Sequence, residues 1–411
     1  MRPTCNQAST MITQDALTRG LDLIATILQK MPNLKEGRRR FILEILPLFL
    51  SCRGRVNFSQ LGRQGERYEQ TYRNHFEQQC DWATINTSRI QNTCGDELVI
   101  GFDPSYISKS GKHTPGLGYF YSGVAGSYKR GLEIGNIAVI DIKQNTAYHL
   151  EAIRTPNIKK ENTKDGRTIV NHYAELIIDR AETLIALSTI LVVDGYFAKK
   201  KFIDPILNQT KLEVICRLRD DANLKYLASE KVETKKRGRP RKYKGKIDVK
   251  NIDRDQFTEE YKDESVRISG IVAYSVGLNR EIKISYVEFL DAKGGITTTK
   301  LFFSTNLDRT ARQIYSYYKA RFQMEFIFRD AKQNTGLENC QSRSENKLNF
   351  HFNASLTAVN LAKVILRDGV SKEVSIPLSV GNLKMIMQNR NMLYRIFSIY
   401  GISHKLIKII V

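Results

Sequence analysis

Four residues in the last third of the chain bring carboxylate, cationic and phenolic groups together at helical spacing. The segment "YYKARFQMEFIFRDAKQ", residues 317–333, contains Tyr318, Arg321, Glu325 and Lys332. At about 100° per residue the four fall within an arc of about 60°, so a helix would present them as one stripe. The neighbouring stripe is apolar and predicts the buried side of that helix, with Tyr317, Ala320, Met324, Ile327, Phe328 and Ala331.

An ordinary ion pair between Arg321 and Glu325 on a solvated helix face is the alternative explanation for this stripe. An arginine that precedes its glutamate is the weaker orientation of such a pair. A solvated face also explains neither Tyr318 nor the neighbouring Phe322 and Phe326. On this segment alone the two interpretations are equally supported.

Two aspartates upstream could complete a site with Glu325. Asp103 in "VIGFDPSY" and Asp194 in "LVVDGYF" each follow an apolar run that is typical of a buried strand, and sites in sheets form where strands end. Taken singly, each aspartate is as well explained as a turn former or a helix cap. Together the three carboxylates are an oxygen-only donor set that suits Mg²⁺. The sequence has no histidine pair at ligand spacing and no G-x-x-x-x-G-K-[ST] loop, so no nucleotide cofactor is predicted.

The composition favours a polyanionic partner. The 411 residues include 64 Lys and Arg against 43 Asp and Glu, a formal charge of +21, and nucleic acid is the first candidate. No run of 18 apolar residues predicts a membrane span, and the N-terminus has no apolar signal core, so we expect a cytoplasmic protein that does not contact membranes. The six cysteines form no C-x-x-C pair, which argues against structural zinc.

Changes in hydrophobic periodicity divide the chain into segments. Residues 1–97 are predicted to be a helical, DNA-binding domain, either a helix-turn-helix or a plain helical bundle. An α/β catalytic core is predicted over 98–219 and 304–345, interrupted at 220–303 by a mainly β insertion with a basic loop. A helical segment follows over 346–411. One long helix is predicted to carry the stripe, because "TNLDRTARQIYSYYKARFQMEFIFRDAKQ" has capping residues at its start and no Gly or Pro.

The spacing of the stripe resembles a known family signature. Tyr318, two residues, Arg321, three residues, Glu325, six residues and Lys332 resemble the Tyr-Arg-Glu-Lys signature of bacterial transposases of the insertion sequence four family. The resemblance covers roughly residues 98–340 and includes "FDPSY" and "DGYF". It implies a ribonuclease H-like core for this α/β segment.

The resemblance also implies a catalytic mechanism. Asp103, Asp194 and Glu325 would be the catalytic residues and would bind two Mg²⁺ ions, for which Mn²⁺ can substitute. The implied activity is cut-and-paste transposition: hydrolysis at the terminal inverted repeats of a bacterial insertion sequence, then strand transfer into target DNA by a homodimer on double-stranded DNA at the nucleoid. A ribonuclease H-like nuclease without strand transfer and an inactive DNA-binding regulator derived from a transposase are the alternatives.

Further residues are candidates for DNA contacts. The resemblance implies that Tyr318, Arg321 and Lys332 donate to phosphates at the transposon end. Some members of the family carry a tryptophan, which stacks on a flipped base, where this chain has Phe322. Packing is the favoured role for this phenylalanine, and stacking on a base of a hairpin intermediate is the alternative.

Two basic runs predict contacts with the DNA backbone. "KKRGRPRKYKGK", residues 235–246, carries eight basic residues in twelve, and its Arg237 and Arg239 resemble the Arg-Gly-Arg-Pro core of an AT-hook. Lys199 and Lys200, shortly after the second aspartate, are candidates for phosphate contacts. A solvated charged surface is the alternative for both runs.

Overall fold

Helices lie at both ends of the chain and a mixed β-sheet lies between them. The computed structural model describes residues 14–32, 34–157, 167–228, 242–369 and 379–402. None of the helices in these ranges is both long and apolar enough to cross a bilayer. The helices are α1 (Gln14–Lys30), α2 (Glu36–Ser51), α3 (Phe58–Gln64), α4 (Glu69–Glu77), α5 (Trp82–Gln91), α6 (Ile169–Ile178), α7 (Ala181–Ile185), α8 (Lys200–Gln209), α9 (Ala311–Ala320), α10 (Gln323–Asn334), α11 (Glu345–Gly369) and α12 (Val380–Ile399).

The strands of the described residues join into one sheet. Its order is β2-β3-β1-β5-β6-β12-β11-β10-β7-β8, while β4 pairs with β3 and β9 pairs with β10. Strands β1, β5 and β6 are parallel, and the other pairings are antiparallel. The strands are β1 (Leu98–Ser108), β2 (Gly118–Ser122), β3 (Ser127–Asp141), β4 (Thr146–Arg154), β5 (Ile190–Val193), β6 (Glu213–Arg217), β7 (Leu224–Leu227), β8 (Tyr243–Ile247), β9 (Thr258–Lys262), β10 (Val266–Ser275), β11 (Arg280–Leu290) and β12 (Ile296–Ser304).

The β-rich segment predicted at 220–303 extends the sheet. Strands β7 to β12 come from this part of the chain, and the antiparallel pairing of β12 with β6 connects them to the parallel strands. The strands predicted from "VRISGIVAYSV", "EIKISYVEFL" and "TTTKLFFST" form as β10, β11 and β12. The division of the chain into domains stays a prediction.

Alternate residues of the central strands are buried on opposite faces of the sheet. Ile100, Phe102 and Val193 join an apolar cluster with helices α6 and α8. Val99 and Val192 join the opposite cluster with α9, α10 and part of α11. Burial on both faces explains why these strands are continuous apolar runs rather than alternating ones.

The predicted long helix is in fact two helices. Arg321 and Phe322 separate α9 from α10, and the amides of both residues bond to carbonyls three positions earlier, which tightens the chain into a 3₁₀-type turn. The N-cap is Thr310, in a capping box with Gln313. The predicted buried stripe is confirmed, since Tyr317, Ala320, Met324, Ile327, Phe328 and Ala331 are all buried.

Helix α11 covers the outer edge of β4 with asparagine side chains. Asn353 accepts from the amide of Ala152 at 2.8 Å and donates to its carbonyl at 2.9 Å. Asn360, seven residues later, accepts from the amide of His149 at 2.8 Å and donates to its carbonyl at 2.7 Å. An edge strand presents unpaired backbone groups, and here the two amides satisfy them inside the protein. Phe350, on the same helix, packs against Phe76 of the N-terminal helices at 4.4 Å between ring centroids.

Candidate active site on two parallel strands and a helix

The strand register brings Asp103 and Asp194 to neighbouring positions. Strands β1 and β5 are parallel, and Phe102 lies opposite Val193, so the next residue in each segment is an aspartate. Asp194 directly follows β5, as predicted, but the predicted strand end at Asp103 is wrong, because β1 continues in its pairing with β3 to Ser108. Neighbouring strands lie about 4.8 Å apart, and equal positions on them point to the same face. That face is the one on which α9 and α10 pack. The two aspartates therefore lie side by side, facing the helices that carry the predicted stripe.

Close packing of α10 against β1 brings Glu325 toward the aspartates. Met324, the residue before Glu325, is fully buried, and its sulfur lies where a side chain at Gly101 would have to be. Only a residue without a Cβ permits this approach of helix to strand. Glu325 lies in the first turn of α10 and is half exposed on the side toward Asp103.

Arg321 lies between two of the three carboxylates. Its guanidinium nitrogens are 3.6 Å from Asp103 Oδ2 and 3.7 Å from Glu325 Oε1. Only 13% of the Arg321 side chain is exposed, and its Nε has no hydrogen-bond partner among the described residues. The ion pairs are long and one guanidinium N–H is unused, so this cation is held by charge more than by geometry.

Tyr318 links the helix to Asp194. Its hydroxyl donates to Asp194 Oδ1 at 3.2 Å, and its ring packs on Phe302 with centroids 4.6 Å apart. Burial raises the pKa of the Tyr318 hydroxyl, and Asp194 raises it further although Arg321 opposes the rise. The phenol therefore stays protonated and acts as a hydrogen-bond donor.

The site holds more negative than positive charge. The pKa of Asp103 is raised to about 7, mainly because the carboxyl group is buried; Arg321 opposes the rise, and Asp194 and Glu325 add to it. Burial lowers the pKa of Arg321, but Asp103, Tyr318, Asp194 and Glu325 together outweigh burial and raise it. A further cation near the three carboxylates would favour the charged form of Asp103.

The donor set fits a hard divalent cation in its chemistry. Asp103, Asp194 and Glu325 offer only oxygen ligands, and their electrostatic coupling shows that they face a common region. In the part of the chain that the structure describes, no group of three Asp, Glu, His or Cys side chains lies close enough to hold a metal ion as the side chains now stand. Arg321 occupies the space between Asp103 and Glu325.

The other predicted contact residues lie at different distances from this centre. Lys332 lies two turns beyond Glu325, where its Nζ donates to the Tyr106 carbonyl at 2.9 Å and lies 3.5 Å from Glu338. Phe322 is 51% exposed and packs edge to face against Phe326 at 5.0 Å.

The lysines after Asp194 have partners of their own. Lys199 Nζ lies 3.6 Å from the ring centroid of Tyr196, and Lys200 forms an ion pair with Asp204 at 3.8 Å. The predicted AT-hook residues Arg237 and Arg239 lie outside the described residues.

Sequence reasoning missed Glu133 and Asn136 on strand β3. Asn136 lies directly opposite Asp103 in the register, and the Glu133 carboxylate adds to the rise of the Asp103 pKa. Glu133 is buried and accepts a hydrogen bond from Tyr173. The signal was an acid and an amide inside the apolar run "LEIGNIAVIDI", where polar residues need a reason to be buried.

Comparison with known proteins finds one matching family model. Residues 158–361, just under half of the chain, match the family model described as a transposase DDE domain. The match supports a DDE transposase, and the family implies an enzyme that acts on DNA. It includes Asp194 and Glu325 and begins after Asp103. No curated protein matches the chain.

Proposed function

We propose that this protein is the transposase of a bacterial insertion sequence of the insertion sequence four family, and that it catalyses cut-and-paste transposition. The observation that carries the proposal is the arrangement of Asp103, Asp194 and Glu325 about Arg321. The site of action would be the bacterial cytoplasm, on nucleoid DNA.

A ribonuclease H-like core is part of the proposal. Its support is the central sheet, in which an antiparallel set (β4, β3 and β1) continues into the parallel strands β5 and β6, with helices on both faces. Asp103 lies within β1 and Asp194 directly follows β5, the two parallel strands at its centre, while Glu325 lies on α10, which packs against the same face.

The proposed roles follow from the chemistry of each side chain. Asp103, Asp194 and Glu325 would hold two Mg²⁺ ions, or Mn²⁺ in their place. When bound, such ions supply activation of the attacking hydroxyl and stabilise the leaving 3′-oxygen. The guanidinium of Arg321, no longer needed to neutralise Asp103 and Glu325, can then bind a phosphate through two parallel hydrogen bonds.

Other residues would position the DNA. Tyr318 donates a hydrogen bond, and Lys332 supplies a positive charge near the end of β1. Lys199 and Lys200 would contact backbone phosphates, as would the basic run at 235–246. Phe322 is assigned to packing, since its ring already contacts Phe326. A homodimer would hold the two ends of the element.

Substitution of Glu325 tests the proposed site. Glu325→Gln keeps the size of the side chain and removes its charge, so Mg²⁺-dependent cleavage of DNA carrying the inverted repeats that flank the gene should fall on the order of a thousandfold. Glu182→Gln, an exposed residue on α7, is the matched control and should cleave normally. Unchanged cleavage by Glu325→Gln would refute the assignment.

Strand transfer is tested separately. The wild-type protein is given pre-cut transposon ends and a supercoiled target plasmid, and joined products are measured on a gel. Joining supports the transposase, and cutting without joining would instead identify a nuclease. Neither cutting nor joining, with DNA binding retained, would identify a DNA-binding regulator.

A further inference from the structure

The hairpin formed by β2 and β3 exposes an aromatic surface that the proposed chemistry does not use. Tyr119, Tyr121 and Tyr128 are 70%, 54% and 71% exposed. Tyr121 lies opposite Tyr128 and Tyr119 lies opposite Arg130, so the four side chains share one face of the hairpin. The rings of Tyr121 and Tyr128 meet edge to face at 5.8 Å. We call these three tyrosines the tyrosine face.

The charge around the tyrosine face suits a polyanion. Residues 104–132 contain Lys109, Lys112, Lys129 and Arg130 but no aspartate or glutamate. Cations interleaved with aromatic rings are the pattern by which proteins hold a nucleic acid strand without reading its sequence.

The hairpin is joined to the candidate active site by two hydrogen bonds. Lys332 on α10 donates to the Tyr106 carbonyl at 2.9 Å, and the Tyr106 hydroxyl donates to the Arg130 carbonyl at 2.8 Å. Tyr106 is three residues from Asp103 on the same strand. A strand of DNA held at the carboxylates therefore has the tyrosine face within a few nucleotides' reach.

A second exposed ring approaches the hairpin from the other aspartate. Tyr196, two residues after Asp194, is 45% exposed, and Lys199 Nζ lies above its ring. Burial raises the pKa of Tyr196, and the Tyr128 hydroxyl raises it further. Tyr196 thus adds a further exposed ring next to the candidate active site.

A basic cavity lies beside the tyrosine face. The guanidinium of Arg130 donates to the carbonyls of Ser110 and Gly111, at 3.5 and 3.1 Å. The loop held in this way lines a cavity of about 430 Å³ with Arg55 and Arg343. Guanidinium groups from distant parts of the chain therefore meet the hairpin where phosphates of a bound strand would run.

We propose that the tyrosine face binds unpaired nucleotides of DNA next to the cleavage site, with bases stacked on Tyr119, Tyr121 and Tyr128. The inference rests on the proposed function only in that it assumes DNA at the carboxylates. Unpaired DNA is favoured over a duplex because a ring can stack on a base only when the base has left its own stack. A second copy of this chain is the other possible occupant of the surface, and the experiment separates the two.

The experiment measures binding of labelled oligonucleotides by fluorescence anisotropy in EDTA, where no cleavage occurs. The probes are a twelve-nucleotide oligothymidine and an abasic strand of the same length. The triple variant Tyr119→Ala, Tyr121→Ala and Tyr128→Ala should bind oligothymidine at least about tenfold more weakly than the wild type and the abasic strand equally well. The triple Tyr→Phe variant keeps the rings and should stay within about twofold of the wild type. Tyr400→Ala, at an exposed tyrosine after helix α12, is the control and should bind both probes as the wild type does.

Each contrary outcome has a defined meaning. The inference is overturned if the alanine variant binds oligothymidine as the wild type does, or loses the same factor for both probes. It is also overturned if the alanine variant changes only the sedimentation of the protein, since the surface would then contact a second copy. Cleavage without base-dependent binding refutes this inference alone, and base-dependent binding without cleavage refutes the proposed function alone.

Discussion

The candidate active site and the contact between α11 and β4 both bury polar side chains, but in opposite ways. At β4 each of the two asparagine side chains accepts from the N–H and donates to the C=O of the same strand residue, so its hydrogen bonds are satisfied. At the active site one arginine lies between carboxylates at 3.6 and 3.7 Å, keeps an unpaired N–H, and leaves net negative charge. A satisfied neutral cluster fixes a structure, whereas an unsatisfied charged cluster is arranged for a ligand that is still to come.

Substitution of Asn360, which bonds the backbone of β4, should have the largest effect on stability. Asn360→Ala leaves the amide and carbonyl of His149 and the Oδ1 of Asn86 without partners inside the protein. At about 1–3 kcal/mol for each such group, we expect a loss of about 3–5 kcal/mol in the free energy of unfolding, measured by urea denaturation. Asn349→Ala, at an exposed asparagine of the same helix that bonds the Arg154 side chain and not the strand backbone, should cost less than about 1 kcal/mol. Equal losses of unfolding free energy in the two variants would mean that the hydrogen bonds of Asn360 to the backbone of β4 do not stabilise this edge strand.

Substitution of Arg321 should lower the rate of cleavage and have little effect on stability. Arg321→Gln should slow cleavage about a hundredfold, equivalent to about 2.7 kcal/mol, because a donor to the reacting phosphate is lost. Its effect on stability should be small, since its two ion pairs are long. Arg321→Lys keeps the charge without the planar fork and should recover only part of the rate. A variant that unfolds but, where folded, cleaves normally would show that the two regions do not differ as described.

Acid should lower the free energy of unfolding through two buried histidines, His149 on β4 and His351 on α11. Burial lowers the pKa of His149 to about 3 and that of His351 to about 4. Between the unfolded value of about 6.5 and these values only the unfolded chain binds the proton, so stability is complete above about pH 6.5 and falls as the pH decreases. From pH 7 to pH 5 we expect a loss of about 2 kcal/mol per histidine. His149→Gln should reduce this loss by about 2 kcal/mol, and the exposed His113→Gln should leave it unchanged.

Substitution of Phe322 should have the smallest effect of these variants, and it tests whether this ring belongs to the active site. If its ring only packs on Phe326, Phe322→Ala costs about 1 kcal/mol of stability and leaves the rate of cleavage within about twofold. The free energy of unfolding and the cleavage rate are measured on the same preparation. A selective loss of hairpin-ended DNA products would show that the ring stacks on a base.

Periodicity alone predicted much of the helix that carries Glu325, including all six buried positions of the apolar stripe. It did not predict the break at Arg321 and Phe322, because both residues keep helical dihedral angles and the change lies only in their hydrogen bonds. Asp103 and Asp194 were selected by their places after apolar runs, and their proximity required the parallel pairing of β1 with β5. Asn353 and Asn360 carried no signal of their partners, since a helix pattern does not say which backbone it will face.

The contact between Met324 and Gly101 also has a consequence for evolution of the chain. A methyl group at residue 101 would fill the space of the Met324 sulfur and push α10 away from β1. The gap between the acid on the helix and the acids on the strands would then widen, although no charged residue had changed. Mutation of this one glycine, which has no functional group of its own, would be enough to inactivate the enzyme while its fold and its signature residues stay unchanged.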